Sequence, residues 1–432
     1  MKTLSSPLKP LALLAPLALT AAAGAAINFQ PPVSFTMTYR PEGVIIADLF
    51  GDERNEMAVA LDSPQRVIVF SSTLNEVGTF SIGGSGVRDM AASDVDGDGD
   101  LDVALIMHNN NAVRFMINNG ERLVAGPSAP VGSNARGMTT ADFDNDGDTD
   151  FALANRDNNT FSVVTDTGAA TFASAAFPSG DEPRAVAAGL FDGDAFPDLV
   201  CANHDSDTLT IHRNNGSGGF TLAATLFESS DSPEGVATGD VDGDGDIDFV
   251  VATNRVVVYK NDGAGNFTRS GSFITNGIDP SHMAMGDLDG DSDLDVAVAN
   301  ESSGTVSLLE NSGTGAFLAP VVIATGLHPD GVAIGDLNGD GAVDLAVTNR
   351  DSDSVSVLIN NNAIAPPPPI RFCPSDFNRD GDNATDQDIE AFFACLGGNC
   401  CQTCPTADVN MDGDLATDQD IESFFRMIGG HC

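Results

Sequence analysis

The stretch GVATGDVDGDGDIDFVVAT, residues 235–253, decides the fold. Two short apolar runs flank a loop with an acid at every second position, from Asp240 through Asp248. Brief runs of Val, Ala and Gly bounded by turn residues read as buried strands. The loop pattern D-x-D-x-D-G-x-x-D recurs with first positions at 48, 94, 142, 190, 240, 287 and 336. Self-similarity at a fixed period marks a repeat architecture. Each copy also has the same surroundings. Before the loop comes a strand such as Gly331 to Gly335, often led by Pro. After it come Asp344 to Thr348, an Asn-rich turn, and Ser354 to Ile359. Most copies continue through a Gly-rich turn to a fourth strand opened by Phe, as at Phe220, Phe267 and Phe317.

Four short strands per unit, repeated seven times, predict a mainly β chain folded as a seven-bladed β-propeller over residues 27–362. The Ala, Gly and Val of the first strands suit crowding near a central axis. No apolar spacing of 3.6 residues supports a helical solenoid instead. The seventh unit stops after its third strand, at Ile359. Phe29 to Tyr39 has the length of the missing fourth strand and is expected to close the ring, covering an edge that would otherwise be bare.

The acids of the loops have a chemistry of their own. Side chains at positions 1, 3 and 5 point inward when the loop curls around one ion. Gly at 6 permits the turn, a backbone carbonyl at 7 adds an oxygen, and Asp at 9 closes the shell. All-oxygen ligands in a flexible loop favour calcium over zinc or magnesium. The expected ligands are Asp94, Asp96, Asp98 and Asp102 in the second unit, and Asp142, Asp144, Asp146 and Asp150 in the third. Asp240, Asp242, Asp244 and Asp248 serve the fifth, and Asp287, Asp289, Asp291 and Asp295 the sixth. The seventh offers Asp336, Asn338, Asp340 and Asp344. Two copies are decayed: Phe50 and Arg54 interrupt the first, where Arg54 is expected to stand in as a fixed cation. Leu190, Ala195 and Phe196 break the fourth, leaving Asp192, Asp194 and Asp198. About five filled propeller sites are therefore expected, structural in role, since a site repeated in most blades is no catalytic centre.

On the GVAxGDxDGDGxxDLAVAN-type core, residues 27–362 resemble the FG-GAP/VCBS repeats of integrin-α-like seven-bladed propellers. The resemblance implies calcium in the loop joining the first two strands of each blade.

The chain ends read differently. Of 432 residues, 19 are Lys or Arg and 63 Asp or Glu, a formal charge of −44. That balance excludes nucleic-acid binding, which needs clustered bases, and disfavours anionic membrane surfaces. Residues 1–26 contain no acid, place Lys2 and Lys9 ahead of an apolar run from Leu11 to Ala23, and read as a signal peptide. No later segment reaches membrane-spanning length, so a soluble exported protein, secreted or on a bacterial cell surface, is expected. Residues 363–372 contain a run of four prolines and read as a stiff linker. Cys373, Cys395, Cys400, Cys401, Cys404 and Cys432 crowd the last 60 residues or so, a density that suggests disulfides in an exported module. Cys201 stands alone in an apolar run and reads as a buried core thiol.

Within residues 373–432 a shorter repeat recurs. Asp376, Asn378, Asp380 and Asp382 lead to Asp388, and Asp408, Asn410, Asp412 and Asp414 lead to Asp420. Each is followed by a helix-like apolar stretch, Ile389 to Leu396 and Ile421 to Ile428. This resembles the duplicated, EF-hand-like calcium loop and helix of dockerin modules, of a cysteine-bearing bacterial type. The last acid falls at position 13 rather than 12, leaving Asp386 and Asp418 as alternative ligands. The resemblance implies a small α-helical module with two calcium sites that docks to a cohesin-like or cell-surface protein.

Two functions follow. One is a secreted, calcium-stabilised, non-enzymatic binding or adhesion protein. The other is an extracellular enzyme acting on polysaccharide, tethered in the same way. No G-x-S-x-G or HExxH motif occurs, and His204 and His328 read as turn positions rather than bases. Only Tyr39 and Tyr259 are Tyr and Trp is absent, which weakens a neutral-sugar lectin. At the start of the seven first strands, equivalent positions hold Glu42, Arg88, Arg136, Arg184, Glu234, Ser281 and Asp330. The three arginines form an arc opposite the metal loops that offers a site for an acidic glycan or a protein ligand, or else balances the acids around it.

Overall fold

The computed structural model describes residues 26–120, 122–228 and 232–362. The expected signal peptide (but for residue 26), the linker at 363–372 and the module at 373–432 with its cysteines and metal ligands lie outside the described residues. Among the described residues no helix is long and apolar enough to cross a membrane.

Seven four-stranded antiparallel sheets form the seven blades. Blade 2 is typical: an inner strand Val87–Ser93, then Asp102–Met107, Ala112–Asn118 and the outer strand Leu123–Pro130. The inner strands of blades 1, 3 and 4 are Pro41–Ala47, Ala135–Ala141 and Pro183–Gly189. Those of blades 5 to 7 are Gly235–Gly239, Pro280–Gly286 and Pro329–Gly335. Blade 7 draws its outer strand from the other end of the chain: Val33–Thr36 pairs with Ser354–Leu358, with Val33 opposite Val357. The expected closure of the ring is therefore observed. One detail differs. Phe317 does not open the outer strand of blade 6; it bridges Asn311, and the strand is Val321–Ala324.

The second strand of each blade is buried along its whole length, as in Asp102–Met107, Asp295–Asn300 and Asp344–Asn349. Its alternate side chains face opposite neighbours. Leu105 packs with Ala58 and Val69 of blade 1, while Ala104 and Ile106 pack with Phe151 and Leu153 of blade 3. The hydrophobic cores thus lie between sheets, and Met57, Val59, Val355 and Val357 make the one that joins blade 7 to blade 1. With no Trp available, Phe fills the wider gaps, as where Phe115 meets Phe151 edge-on at 5.2 Å.

Glycine near the axis has a steric cause. A Cβ on Gly235 would lie 2.4 Å from the backbone oxygen of Ser281, and one on Gly331 2.9 Å from that of Glu42. Inner strands of adjacent blades approach too closely for a side chain there. Every inner strand runs from the face carrying the inter-blade connections to the face carrying the acidic loops, so its two ends sort two sets of residues onto opposite faces.

Candidate functional site

Each acidic loop is folded by its own carboxylates. The first Asp accepts backbone N–H groups across the turn: Asp94 Oδ1 from Gly97 at 2.8 Å and Asp94 Oδ2 from Gly99 at 2.9 Å. Asp240 and Asp336 repeat this with Gly243 and Gly245, and with Gly339 and Gly341. Position 6 takes a left-handed conformation, φ +95° at Gly99 and +92° at Gly245; in blade 6 Ser292 adopts it at φ +75°. The acid at position 5 accepts from position 7, as Asp98 does from Asp100 at 3.0 Å.

Position 3 is left over. Asp96 Oδ1, Asp144 Oδ1, Asp242 Oδ1 and Asp289 Oδ2 are buried and have no hydrogen-bond partner. Burial, then the neighbouring acids, raises the pKa values of Asp96, Asp144 and Asp289, that of Asp289 to about 6. A buried carboxylate oxygen facing other acids without a donor is unfavourable alone and favourable beside a cation. The loops also bring three carboxylates within 4.8 Å of one another: Asp94, Asp96 and Asp102; Asp142, Asp144 and Asp146; Asp240, Asp242 and Asp248; Asp287, Asp289 and Asp291. These clusters can hold Ca²⁺, and the hard oxygen donors fit that ion. In blade 7, Asn338 Nδ2 donates to Asp340 Oδ2 at 3.0 Å, so two of its expected ligands face each other.

The acid at position 9 has a second task that its spacing does not reveal. Asp102 Oδ2 accepts from Val95 N at 2.9 Å, and its Oδ1 accepts from the backbone N of Asn118. Asp295 bonds Leu288 and Asn311 in the same way, and Asp344 bonds Leu337 and Asn360. Burial raises the pKa of Asp102 and Asp344 to about 6, and of Asp150 and Asp295 to about 7. In blade 1 Glu56 takes over, accepting from Leu49 N at 3.0 Å.

An asparagine at or just past the end of the third strand completes this strut. Asn311 Nδ2 donates to Leu294 O in its own blade and, at 2.8 Å, to Val241 O in the loop of the preceding blade. Asn118, Asn214, Asn261 and Asn360 do the same to Leu49, Phe143, Phe191 and Leu288. The acidic loops are thereby tied blade to blade.

The decayed loops differ from expectation. Arg54 is exposed and makes no ion pair among the described residues. The fixed cation belongs to blade 4 instead, where Arg213 pairs with Asp192, at position 3, and donates to Ala264 O at 2.8 Å. The equivalent residue of blade 5, Lys260, stands 2.7 Å from Asp242 Oδ2 and leaves Oδ1 unpartnered.

On the opposite face, Arg88, Arg136 and Arg184 converge on the mouth of the axis with Glu234, Ser281, His282, Glu301 and Asp330. Arg88 lies 3.0 Å from Glu42 and 3.8 Å from Asp330, and Arg184 pairs with Glu182 and Glu234. Charge balance accounts for these two arginines. Arg136 makes no such pair among the described residues, and its Nε is buried without a partner. Burial, followed by the charge of Asp330, raises the Glu42 pKa to about 7.

His282, which the sequence did not single out, stands 3.2 Å from Asp330. Burial alone would lower its pKa, but Asp330 and Asp89 raise it to about 9. His204 and His328 do lie in turns beside acids, with His204 Nε2 3.1 Å from Glu234 and His328 Nε2 2.8 Å from Glu301. His212 is neither turn nor surface; it is buried against Phe161, with a pKa lowered by burial to about 4. Cys201 is fully buried as expected, its thiol pushed up to about 12 by burial.

A pattern described as FG-GAP-like repeat matches residues 94–153, 191–251, 240–298 and 287–347, together half of the chain. No curated protein sequence matches. Among solved structures, BBS1N, crystallised in complex with ARL6DN, is similar with a TM-score of 0.57 and 12% identity, over 78% of this chain and 98% of that one. Hydrazine synthase of Kuenenia stuttgartiensis follows at 0.55 and 15%, over 76% and 98%. A protein from Lactobacillus plantarum gives 0.52 and 13%, over 67% and 86%. At these identities the likeness concerns the propeller fold alone.

Proposed function

Because this chain belongs to the FG-GAP-like repeat family, we propose that it is a calcium-stabilised, non-enzymatic binding propeller that presents the face opposite its acidic loops. One observation carries the reading. The loops of blades 2, 3, 5 and 6 each gather the carboxylates of positions 1 and 3 with that of position 5 or 9, whereas the opposite ends of the inner strands carry a residue set that changes from blade to blade, from Glu42 through Arg136 to Asp330. Repetition serves the scaffold and irregularity serves recognition. Calcium joins carboxylates that otherwise repel, so metal binding and folding are coupled. The ligand of the irregular face is an acidic glycan or a protein.

The remaining parts of the proposal concern residues outside the described ones. An N-terminal signal exports the protein, and residues 373–432 bind two further Ca²⁺ and dock to a cohesin-like or cell-surface partner. The test is a pull-down from a cell-surface fraction with the full chain in calcium, in chelator, and with residues 373–432 removed. The proposal requires the partner to be lost on truncation and in chelator. Equal capture by the truncated chain would overturn docking, and turnover of a polysaccharide by the propeller would overturn the non-enzymatic reading.

A further inference from the structure

Arg136 stands out because the described chain leaves it uncompensated. Its neighbours in the arc each face a carboxylate, Arg88 that of Glu42 and Arg184 those of Glu182 and Glu234. Arg136 has neither ion pair nor hydrogen bond among the described residues, and its Nε is buried. A half-buried guanidinium without a counter-charge is unfavourable. In a chain with 63 acids, a shortage of carboxylates is not the cause.

The same side chain lines two recesses. One is the axial mouth, where Arg88, Arg136, Arg184 and His282 meet Glu234, Glu301 and Asp330, with Glu42 and Glu182 also pairing Arg88 and Arg184. The other is a groove of about 490 Å³ between blades 2 and 3, lined also by His108, Asn109, Asn111, Ser133 and Asn134. Its single acid, Asp157, accepts from Asn134 Nδ2 at 3.1 Å. His108 Nδ1 is buried without a partner, and the Asn109 amide and the Ser133 hydroxyl line the groove beside it.

The single unpaired guanidinium of Arg136 calls for one anionic group, and its planar fork matches a carboxylate. A dianion would meet Glu234, Glu301 and Asp330 at the mouth. The amide, hydroxyl and imidazole groups suit a ligand rich in hydroxyls. We propose that the groove between blades 2 and 3 binds a uronate residue, with its carboxylate on Arg136 and its hydroxyls on His108, Asn109 and Ser133. This rests on the binding reading above and adds the ligand class to it.

The test is calorimetric titration of the full chain in calcium with galacturonate oligomers, galacturonate monomer, methyl-esterified oligomers and sodium sulfate. The acid oligomers bind and the esters do not, a comparison that needs no variant. Monomer binding assigns the site to a free acid sugar; binding of oligomer alone assigns it to a polymer. Arg136→Ala weakens binding roughly ten- to hundredfold, as expected for a charged hydrogen-bonded pair. A thermal transition still raised by calcium shows that this variant is folded. Equal binding of acid and ester, equal binding of sulfate, unaltered binding by Arg136→Ala, or no uronate binding by the wild-type protein would each overturn the proposal. The calcium-dependence of folding is read separately from the melt, so failure of the uronate site leaves a distinct signature from failure of the scaffold reading.

Discussion

At the scale of residues, the same side-chain type acquires different tasks from its surroundings. The aspartate at position 1 folds the loop, the one at position 3 is left facing the cluster, and the one at position 9 braces the third strand. His282 shows the same dependence on neighbours. Its folded pKa of about 9 lies above the ordinary histidine value of 6.5, so its pairing with Asp330 stabilises the protein fully below about pH 6.5. That contribution fades as pH rises through about 9. NMR titration should place His282 near that value in the wild type and well below it in Asp330→Asn; an ordinary value in both would contradict the ion pair. Asn311 offers a stability test. Asn311→Ala removes donors to Val241 O and Leu294 O, and the loss expected from denaturant unfolding is about 1–3 kcal/mol. No change would show that the tie between loops contributes nothing.

At the scale of elements, legibility followed distance along the chain. The four strands of each blade were readable because each unit is local and repeats, and the distant closing strand because the seventh unit lacks its fourth. The asparagine tie was not, since Asn118 and Leu49 are 69 residues apart and Asn360 and Leu288 are 72. The recurrence of Asn 16 residues after Asp102, Asp198, Asp295 and Asp344 was the available signal. The misplaced cation has a similar cause. Arg54 lies within its loop's sequence, but Arg213 reaches Asp192 from the third strand, which pairs beside that loop only in the folded blade. The arc of arginines was legible in position and, for Arg88 and Arg184, in its balance by Glu42, Asp330 and Glu234; that Arg136 is left without a pair was not. The inner strands make a prediction of their own. Gly235→Ala would drive a Cβ to 2.4 Å from the backbone of the next inner strand. An expected destabilisation of about 1–3 kcal/mol, read from urea unfolding, follows from overpacking; a neutral result would mean the axis can widen.

At the scale of the whole molecule, the formal charge of −44 is partly placed in repeated loops on one face of a closed ring. Cores between blades supply the apolar stabilisation, and the acids oppose it until a cation joins them. The central claim is therefore that the loops of the propeller bind calcium and that folding depends on it. Its most direct test is thermal unfolding of the full chain in millimolar CaCl₂ and after chelation. The same pair of melts is run on a variant combining Asp96→Asn, Asp144→Asn, Asp242→Asn and Asp289→Asn. Chelation should lower the wild-type Tm by roughly 5 °C or more, as expected when even one well-filled site is emptied, and the calcium-dependent shift should shrink in the variant. A wild-type Tm unmoved by chelation, or a shift of the same size in both proteins, would contradict the claim.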